Sequence, residues 1–590
     1  MIQRVIAVVL VLGGIMSVSQ SGSTQTGAAS SPAVASFRAL ADQYFDEVYF
    51  KYAPTTGTLA GFHQYDVMLE DYSRAAIDGQ IAALHAYDKK FAMITTAGLD
   101  PVTQDDLTLV RNNIQSTLLT LEVVRLWEKN PDTYSSGIAN GAFTIMERKF
   151  ASPDARLKSL VARERQMPAA FTAARQNLNN PPRIYTEIAI EQLPGIISFF
   201  QNDVPLAFKD ATDPTTKADF AKSNADVIAA LQSYQAWLKT DLLPRSNGDF
   251  RIGAETFRLK LRYDEMVDTP LDKLLEIGYA DLRKNQAEFN RIAKEVGPDK
   301  TAREVLENLG SDHPAPDLLL QSFRDTFDSL IAFIQQNKIV TIPSDIRPIL
   351  EETPPFMRAT TFASMDTPGP FEKVAHEAYF NVTLPEKDWS AQHVSEYMAS
   401  FNVGTVVSTS VHEAYPGHYI QFLWVPEAPS KVRKLLGANT NAEGWAHYCE
   451  QMMLDAGYGQ PGTGAKDARE AKLLRLGQLQ DALLRDARFI IGIQMHTGKM
   501  TFDEGVEFFV KEGYQSHESA LVETKRGTSD PTYLYYTLGK LQIMKLRADM
   551  KKKQGSAFTL QKFHDDFLRQ GFPPIAMVRK TMIGDSSPTL

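Results

Sequence analysis

From about Phe37 to residue 335, apolar side chains recur at intervals of three and four, as at Leu107, Val110, Ile114, Leu118 and Leu121. That spacing places them on one face of an α-helix. Comparable stretches cover about 155–178, 216–240 and 270–296, and the breaks between them hold proline at Pro153, Pro181-Pro182, Pro214 and Pro314-Ala315-Pro316. Proline supplies no backbone donor inside a helix, so it marks where each one begins or ends.

Between about 337 and 390 the pattern changes. Lys338-Ile339-Val340-Thr341-Ile342 and Tyr379-Phe380-Asn381-Val382-Thr383-Leu384 are rich in β-branched and aromatic residues, and prolines punctuate the stretch. A small sheet is expected there, with the 379–384 segment as an exposed edge able to pair with an extended peptide. Helical spacing returns over about 395–424, 440–457, 464–499 and 532–552. The expected fold is therefore mainly α, a large helical body with a small sheet beside the helix that carries the chemistry.

The chain start reads differently. Residues 1–20 combine a basic opening at Arg4, an apolar run from Val5 to Met16 and small residues at Ser17 and Ser19, the layout of an export signal. Residues 21–36, rich in Ser, Thr, Gly and Ala, are expected to form a flexible linker, with structure starting near Phe37. The apolar run is short for a membrane span, and no cysteine follows it to carry a lipid. A periplasmic or secreted protein with no stable membrane span after signal cleavage is expected. Beyond the linker, residues 37–335 form a helical N-terminal region and 336–590 a catalytic region of helices and sheet, expected to be continuous.

Composition narrows the function. With 590 residues, 43% hydrophobic and 23% charged, the chain can build a large soluble core. A net charge of -9 and a pI near 5.8 offer no basic footprint for nucleic acid. Cys449 is the only cysteine, so no disulfide can form within the chain.

The chemistry concentrates in Val411-His412-Glu413-Ala414-Tyr415-Pro416-Gly417-His418 and, downstream, Asn441-Ala442-Glu443-Gly444-Trp445-Ala446. Two histidines and a later glutamate can hold one zinc ion and leave a coordination position open, with Glu413 beside them as a base. The usual arrangement spaces the histidines four apart on one helix face. Here they stand six apart. On an unbroken helix that separation turns the second roughly 120° away from the first. Pro416-Gly417 between them offers relief: the helix is expected to bulge by two residues and restore a common face.

Other segments place the chain in a family context. Gly57-Thr58-Leu59-Ala60-Gly61-Phe62-His63-Gln64-Tyr65-Asp66, Phe250-Arg251-Ile252-Gly253, Gly369-Pro370-Phe371 and Val382-Thr383-Leu384-Pro385 precede the His412 motif. Glu443-Gly444-Trp445-Ala446, the tract from Arg526 to Lys540 and Phe563-His564-Asp565-Asp566 follow it. In this order they resemble the bacterial family known as domain of unknown function 885, grouped with gluzincin-type zinc metallopeptidases. The resemblance covers nearly the whole chain after the linker. It implies zinc held by His412, His418 and Glu443, with Glu413 as general base. From the C-terminal tract it implies Tyr536 and Arg526 as donors to the developing oxyanion. Where many relatives have a second histidine after His418, this chain has Tyr419. His447, one turn past Glu443, is a candidate to support the ligands, and His517 and His564 are lesser candidates.

The expected activity is zinc-dependent hydrolysis of peptide bonds in extracytoplasmic oligopeptides. Two other readings compete: a protein that binds peptides or cell-wall fragments without cutting them, and a zinc hydrolase of a non-peptide amide or ester. An adjacent base at Glu413 favours catalysis, since a purely structural site has no use for one. The signal also makes a direct prediction. N-terminal sequencing of protein from the extracytoplasmic fraction should place the first residue between 18 and 32, and an intact Met1 on cytosolic protein would contradict export.

Overall fold

The computed structural model describes residues 31–354, 358, 361–387 and 389–590. The signal reading, over residues 1–20, lies outside them, as does most of the expected linker. The first helix, Pro32–Tyr44, starts five residues earlier than Phe37, because the Ser31 hydroxyl caps it by accepting the Val34 N–H at 3.3 Å.

Helices dominate as the periodicity predicts. Pro101–Leu118 buries Leu107, Val110, Ile114 and Leu118, while Pro153–Glu164 with Met167–Asn177, Pro214–Trp237 and Leu271–Val296 fill the other three stretches. Proline at the first helical position, where its missing N–H would be unpaired anyway, opens the helices at 101, 153 and 214. The N-terminal helices build one core of their own and a second that also takes in Val432, Leu436 and Met577 from the later region. The helix Leu319–Gln336 packs instead into the core of the later region, and Leu282, Phe289 and Ile292 share a cluster with Leu476, Leu483 and Ile490. Buried ion pairs also join early and late segments, Arg433 with Asp106 at 2.8 Å and Lys540 with Asp281 at 2.7 Å.

The sheet departs from expectation in two ways. Its strands are β1 (Ile349–Glu352), β2 (Ala363–Asp366) and β3 (Tyr379–Val382), in the order β1-β3-β2, with β1 parallel and β2 antiparallel to β3. The 379–382 strand is therefore the buried centre, not an edge; β2 is the edge toward the site. Residues 338–342 form no strand. Their backbone is satisfied by side chains instead: Asp565 accepts the Thr341 N–H at 2.9 Å, Trp424 donates to the Thr341 carbonyl at 3.0 Å, and His564 Nδ1 donates to the Ile339 carbonyl at 2.7 Å. Ile339 and Val340 are β-prone because they are core residues, and burial alone does not demand a ladder.

Two helix crossings position the site, and glycine sets both. Val403–Glu413 crosses Ala468–His496 where Gly404 meets Gly477; a Cβ on Gly404 would sit 2.5 Å from the Leu473 carbonyl oxygen. Asn439–Asp455 crosses Tyr535–Gln554 where Gly444 meets Gly539; a Cβ on Gly539 would stand 2.0 Å from the Thr440 oxygen.

The early signature around Gly57–Asp66 clasps the segment that leads from β2 to β3. Phe371 N–H donates to the Ala60 carbonyl at 3.0 Å, Phe62 stacks on Phe371, and His63 bridges Asp66 at 3.0 Å and Glu372 at 2.9 Å. Burial alone would lower the His63 pKa, but its bonds to Asp66 and Glu372 raise it from 6.5 to about 9. Glu372, despite burial, is drawn down to about 2 by His63 and the backbone N–H groups it accepts. The stabilisation from His63 is complete below its unfolded pKa near 6.5 and is lost as pH rises through about 9. That from Glu372 is complete above 4.5 and is lost as pH falls through about 2. In thermal melts, His63→Ala should therefore lower Tm most between pH 4.5 and 6.5, and the gap to wild type should narrow toward pH 9. A gap independent of pH would refute the clasp as an ionic contact.

Candidate metal centre

The first ligand helix, Val403–Glu413, begins where the Asn402 side chain accepts the N–H groups of Gly404 and Thr405 at 3.0 and 3.1 Å. It does not bulge and continue, as the spacing suggested. It stops after Glu413, the chain turns through a cis Tyr415–Pro416 peptide, and a second helix, His418–Trp424, starts at the second histidine. The turn is held by Gly417 N–H donating to the Val411 carbonyl at 2.9 Å, across six residues instead of the helical four. Two residues are thus absorbed by a break rather than a bulge, because proline cannot continue the backbone ladder. Only glycine fits at 417, since a Cβ there would lie 1.8 Å from the His412 carbonyl oxygen.

The break brings the two imidazoles together, with ring centroids 4.9 Å apart and planes nearly perpendicular. Glu443, on the Asn439–Asp455 helix, completes the group: its Oε2 lies 3.4 Å from His412 Nε2 and 3.3 Å from His418 Nε2. All three side chains are buried, and one donor atom from each lies within 4.8 Å of the others. Glu443 Oε2 and His418 Nδ1 have no hydrogen-bond partner. A buried carboxylate oxygen left in that state is costly unless a cation meets it. Two imidazole nitrogens and a carboxylate suit zinc, so these residues fit the ion that their spacing implies.

The remaining letters of the glutamate motif have physical duties. Gly444 allows the contact with Gly539, and Trp445 Nε1 donates to the Pro416 carbonyl at 3.0 Å, pinning the turn that precedes His418. Glu265, from the helix that the Phe250–Gly253 motif introduces, caps the start of the same helix by accepting Thr440 N–H at 2.9 Å and Asn439 N–H at 3.2 Å. Burial raises its carboxyl to about 7 against those bonds.

One functional residue escaped the sequence reading. Glu450, fully buried two turns beyond Glu443, accepts a 2.6 Å hydrogen bond from His412 Nδ1, which fixes the ring with Nε2 toward the other ligands. It also accepts from His447 Nδ1 at 3.0 Å and pairs with Arg485 at 3.1 Å. Burial would raise its carboxyl, but Arg485 and the two histidines hold it well below the carboxylate range. His447 thus touches the carboxylate behind His412 and not the ligands, and burial lowers its pKa to about 3. The only sequence hint was a seven-residue step from Glu443 along one helix face.

Glu413 borders a cavity of about 1650 Å³ shared with the three ligands, β2, Tyr536, Arg526 and N-terminal residues such as Asn113 and Lys260. Burial raises its carboxyl, and the neighbouring histidines oppose that rise. Tyr536 lies face to face with His412 at 6.3 Å, and Arg526 donates to its hydroxyl oxygen at 3.2 Å. His517 is exposed on the cavity wall. His564 is a core residue that accepts from Tyr448 at 2.9 Å, away from the ligands. Tyr419, next to His418, donates to the Ile346 carbonyl at 2.7 Å, on the segment that leads into β1.

This is a mainly helical chain with a buried His-His-Glu centre inside a large cavity. It belongs to the family described as bacterial protein of unknown function (DUF885), whose model matches residues 54–582. No curated protein matches it. Among solved structures it is similar to one described as "a putative lipoprotein of unknown function from Shewanella oneidensis", 26% identical, with a TM-score of 0.75 over 93% of this chain and 99% of that one. It also shares its fold with "the putative lipoprotein from Colwellia psychrerythraea", 17% identical, with a TM-score of 0.77 over 94% and 99%.

The role of Glu450 can be checked through metal content. Its replacement, Glu450→Ala, should weaken zinc binding about 10- to 100-fold in competition with a chromogenic chelator, the usual cost of losing a partner that orients a ligand. Unchanged zinc affinity would show that His412 needs no such support.

Proposed function

We propose that this protein is a zinc-dependent peptidase acting on oligopeptides outside the cytoplasm. The observation that carries the reading is the position of Glu413, next in sequence to His412 and on the wall of the cavity shared with all three ligands. His412, His418 and Glu443 would hold the zinc, which when bound would supply Lewis-acid activation. Glu413 accepts the proton of the attacking water on its carboxylate and returns it to the nitrogen of the leaving amine. Tyr536 serves the developing oxyanion. Because Arg526 donates to the Tyr536 oxygen, the hydroxyl hydrogen is left to point elsewhere and can be given to substrate. Arg526 in this arrangement positions Tyr536 as well as adding positive charge.

A cavity of about 1650 Å³ exceeds the roughly 300–1,000 Å³ typical of small-molecule pockets, which favours a peptide of several residues. β2 is the sheet edge whose residues line that cavity, and an extended substrate can add to it as a further strand. Export is supported by the signal-like residues 1–20 and by the lipoprotein description of the Shewanella relative. No helix among the described residues is long and apolar enough to cross a membrane.

The test pairs hydrolysis with metal content in one preparation of Glu413→Gln. The amide keeps the side-chain shape but cannot take the proton, so peptide turnover should fall about 100- to 10,000-fold while zinc stays stoichiometric. Retained activity removes Glu413 as the base, and lost zinc would make it a ligand. A wild-type protein that binds peptides and zinc yet cleaves nothing would favour the binding-protein reading.

A further inference from the structure

Close to the metal ligands, each guanidinium on the cavity wall has a carboxylate of its own. Arg485 pairs with Glu450 at 3.1 Å, Arg488 makes a two-pronged pair with Glu523 at 2.7 Å on each prong, and Arg526 contacts Asp530 at 3.4 Å. Apart from the ligand Glu443, two carboxylates remain on that stretch of wall: Glu413, which the proposed mechanism uses, and Asp481, which it does not.

The place of Asp481 follows from the crossing of two helices. Val403–Glu413 and Ala468–His496 keep step turn by turn: Gly404 meets Gly477, Ser408 faces Asp481, and His412 Nδ1 lies 3.4 Å from Arg485 Nη2. Four residues rise about 6 Å along a helix, which is how far Asp481 stands from the level of His412. The cavity face of the ligand helix, formed by Thr405, Thr409 and Glu413, runs along the same stretch. An extended residue spans roughly 3.3–3.6 Å, so a peptide lying on that face with its cleaved bond beside Glu413 reaches Asp481 within about two residues.

Among the described residues, no hydrogen bond closes on the Asp481 carboxylate, whose side chain is 20% accessible from the cavity. The Ser408 hydroxyl beside it is buried and has no partner. Its one ion-pair partner, Arg485, turns Nη1 to the Asp481 backbone carbonyl at 3.0 Å and leaves the carboxylate at 3.8 Å. Burial raises the Asp481 carboxyl, and Arg485 offsets that rise only in part. An ionised carboxylate offers about four acceptor sites, and a cationic donor fills them most strongly. We infer that Asp481 docks a cationic group of the substrate, the ammonium or guanidinium of a basic side chain or the ammonium of a free N-terminus, and so selects positively charged oligopeptides. Selection for cleavage rests on the peptidase reading; the docking itself does not.

Binding can be measured without turnover, by calorimetry on the full chain carrying Glu413→Gln and loaded with zinc, where the Glu413 carboxylate no longer competes for a cation. The probes are tripeptides blocked at both ends with lysine at the first, second or third position and norleucine elsewhere, the blocked all-norleucine peptide, and that peptide with its N-terminus free. At least one charged probe should bind about 10- to 100-fold more tightly than the blocked all-norleucine peptide, the range expected for a charge-assisted pair. Preference for a lysine probe makes a side chain the source of the cation, and preference for the free N-terminus makes it the terminal ammonium. Adding Asp481→Asn, which keeps the shape without the charge, should bring the ratio close to one, and Asp481→Glu should retain part of it. Equal binding of all probes to the protein with Asp481 intact overturns the proposal, and needs no further variant that could misfold. A charge preference that survives Asp481→Asn overturns the assignment to this residue, and equal losses for charged and uncharged probes mark a structural role and overturn the dock. The peptidase reading fails separately, if wild-type protein cleaves none of these peptides while the charge preference persists.

Discussion

A single buried carboxylate, that of Glu450, ties the centre together. It is fully enclosed, and an ionised group in that setting is tolerated only when its oxygens are occupied by strong donors. Its partners come from three helices: His412 from the first ligand helix, His447 from its own, and Arg485 from Ala468–His496. Moving any of these helices would strand a charge in the core. The orientation of His412 therefore follows from a constraint on the whole helical packing, and not from the local chain.

Two close backbone crossings hold these helices and Tyr535–Gln554 against one another. Gly404 against Gly477 and Gly444 against Gly539 remove the side chains that would hold the axes apart. The same crossings explain why the tract from Arg526 to Lys540 belongs to the centre despite its distance in sequence. Asp530 accepts from Tyr535, Thr537 donates to the buried Asp486 at 2.9 Å, Gly539 lies against the glutamate helix, and Lys540 pairs with Asp281. These contacts hold the tract that places Tyr536 and Arg526 on the cavity wall. Buried polar networks of this kind tolerate little deviation, since a partly satisfied member is more costly than none.

The N-terminal region contributes more than bulk. It walls the cavity, caps the glutamate helix through Glu265 and, through Gly57–Asp66, clasps the segment beside β2. A site enclosed on so many sides admits flexible chains more readily than folded proteins. That agrees with the oligopeptide substrate proposed above.

The sequence by itself determined the helices, through three-and-four spacing with proline at their starts, and it pointed to the His412, His418 and Glu443 cluster that the fold brings together, with Glu413 beside it. It also flagged Tyr536 and Arg526, through resemblance and not through any spacing. What it could not decide were matters of pairing. β-branched residues at 338–342 and 379–384 look alike in sequence, yet one packs as irregular chain and the other as the central strand, because the choice depends on which partners reach the backbone. Pro416-Gly417 signalled that the helix must yield, but whether it bulges or breaks was settled by Trp445 and the His412 carbonyl closing around the turn. Glu450 was invisible because a glutamate in a helix is ordinarily a solvated surface residue. Only the tertiary structure, by burying it among His412, His447 and Arg485, made it part of the centre, since the energy of a charge is fixed by its surroundings and not by its place in the chain.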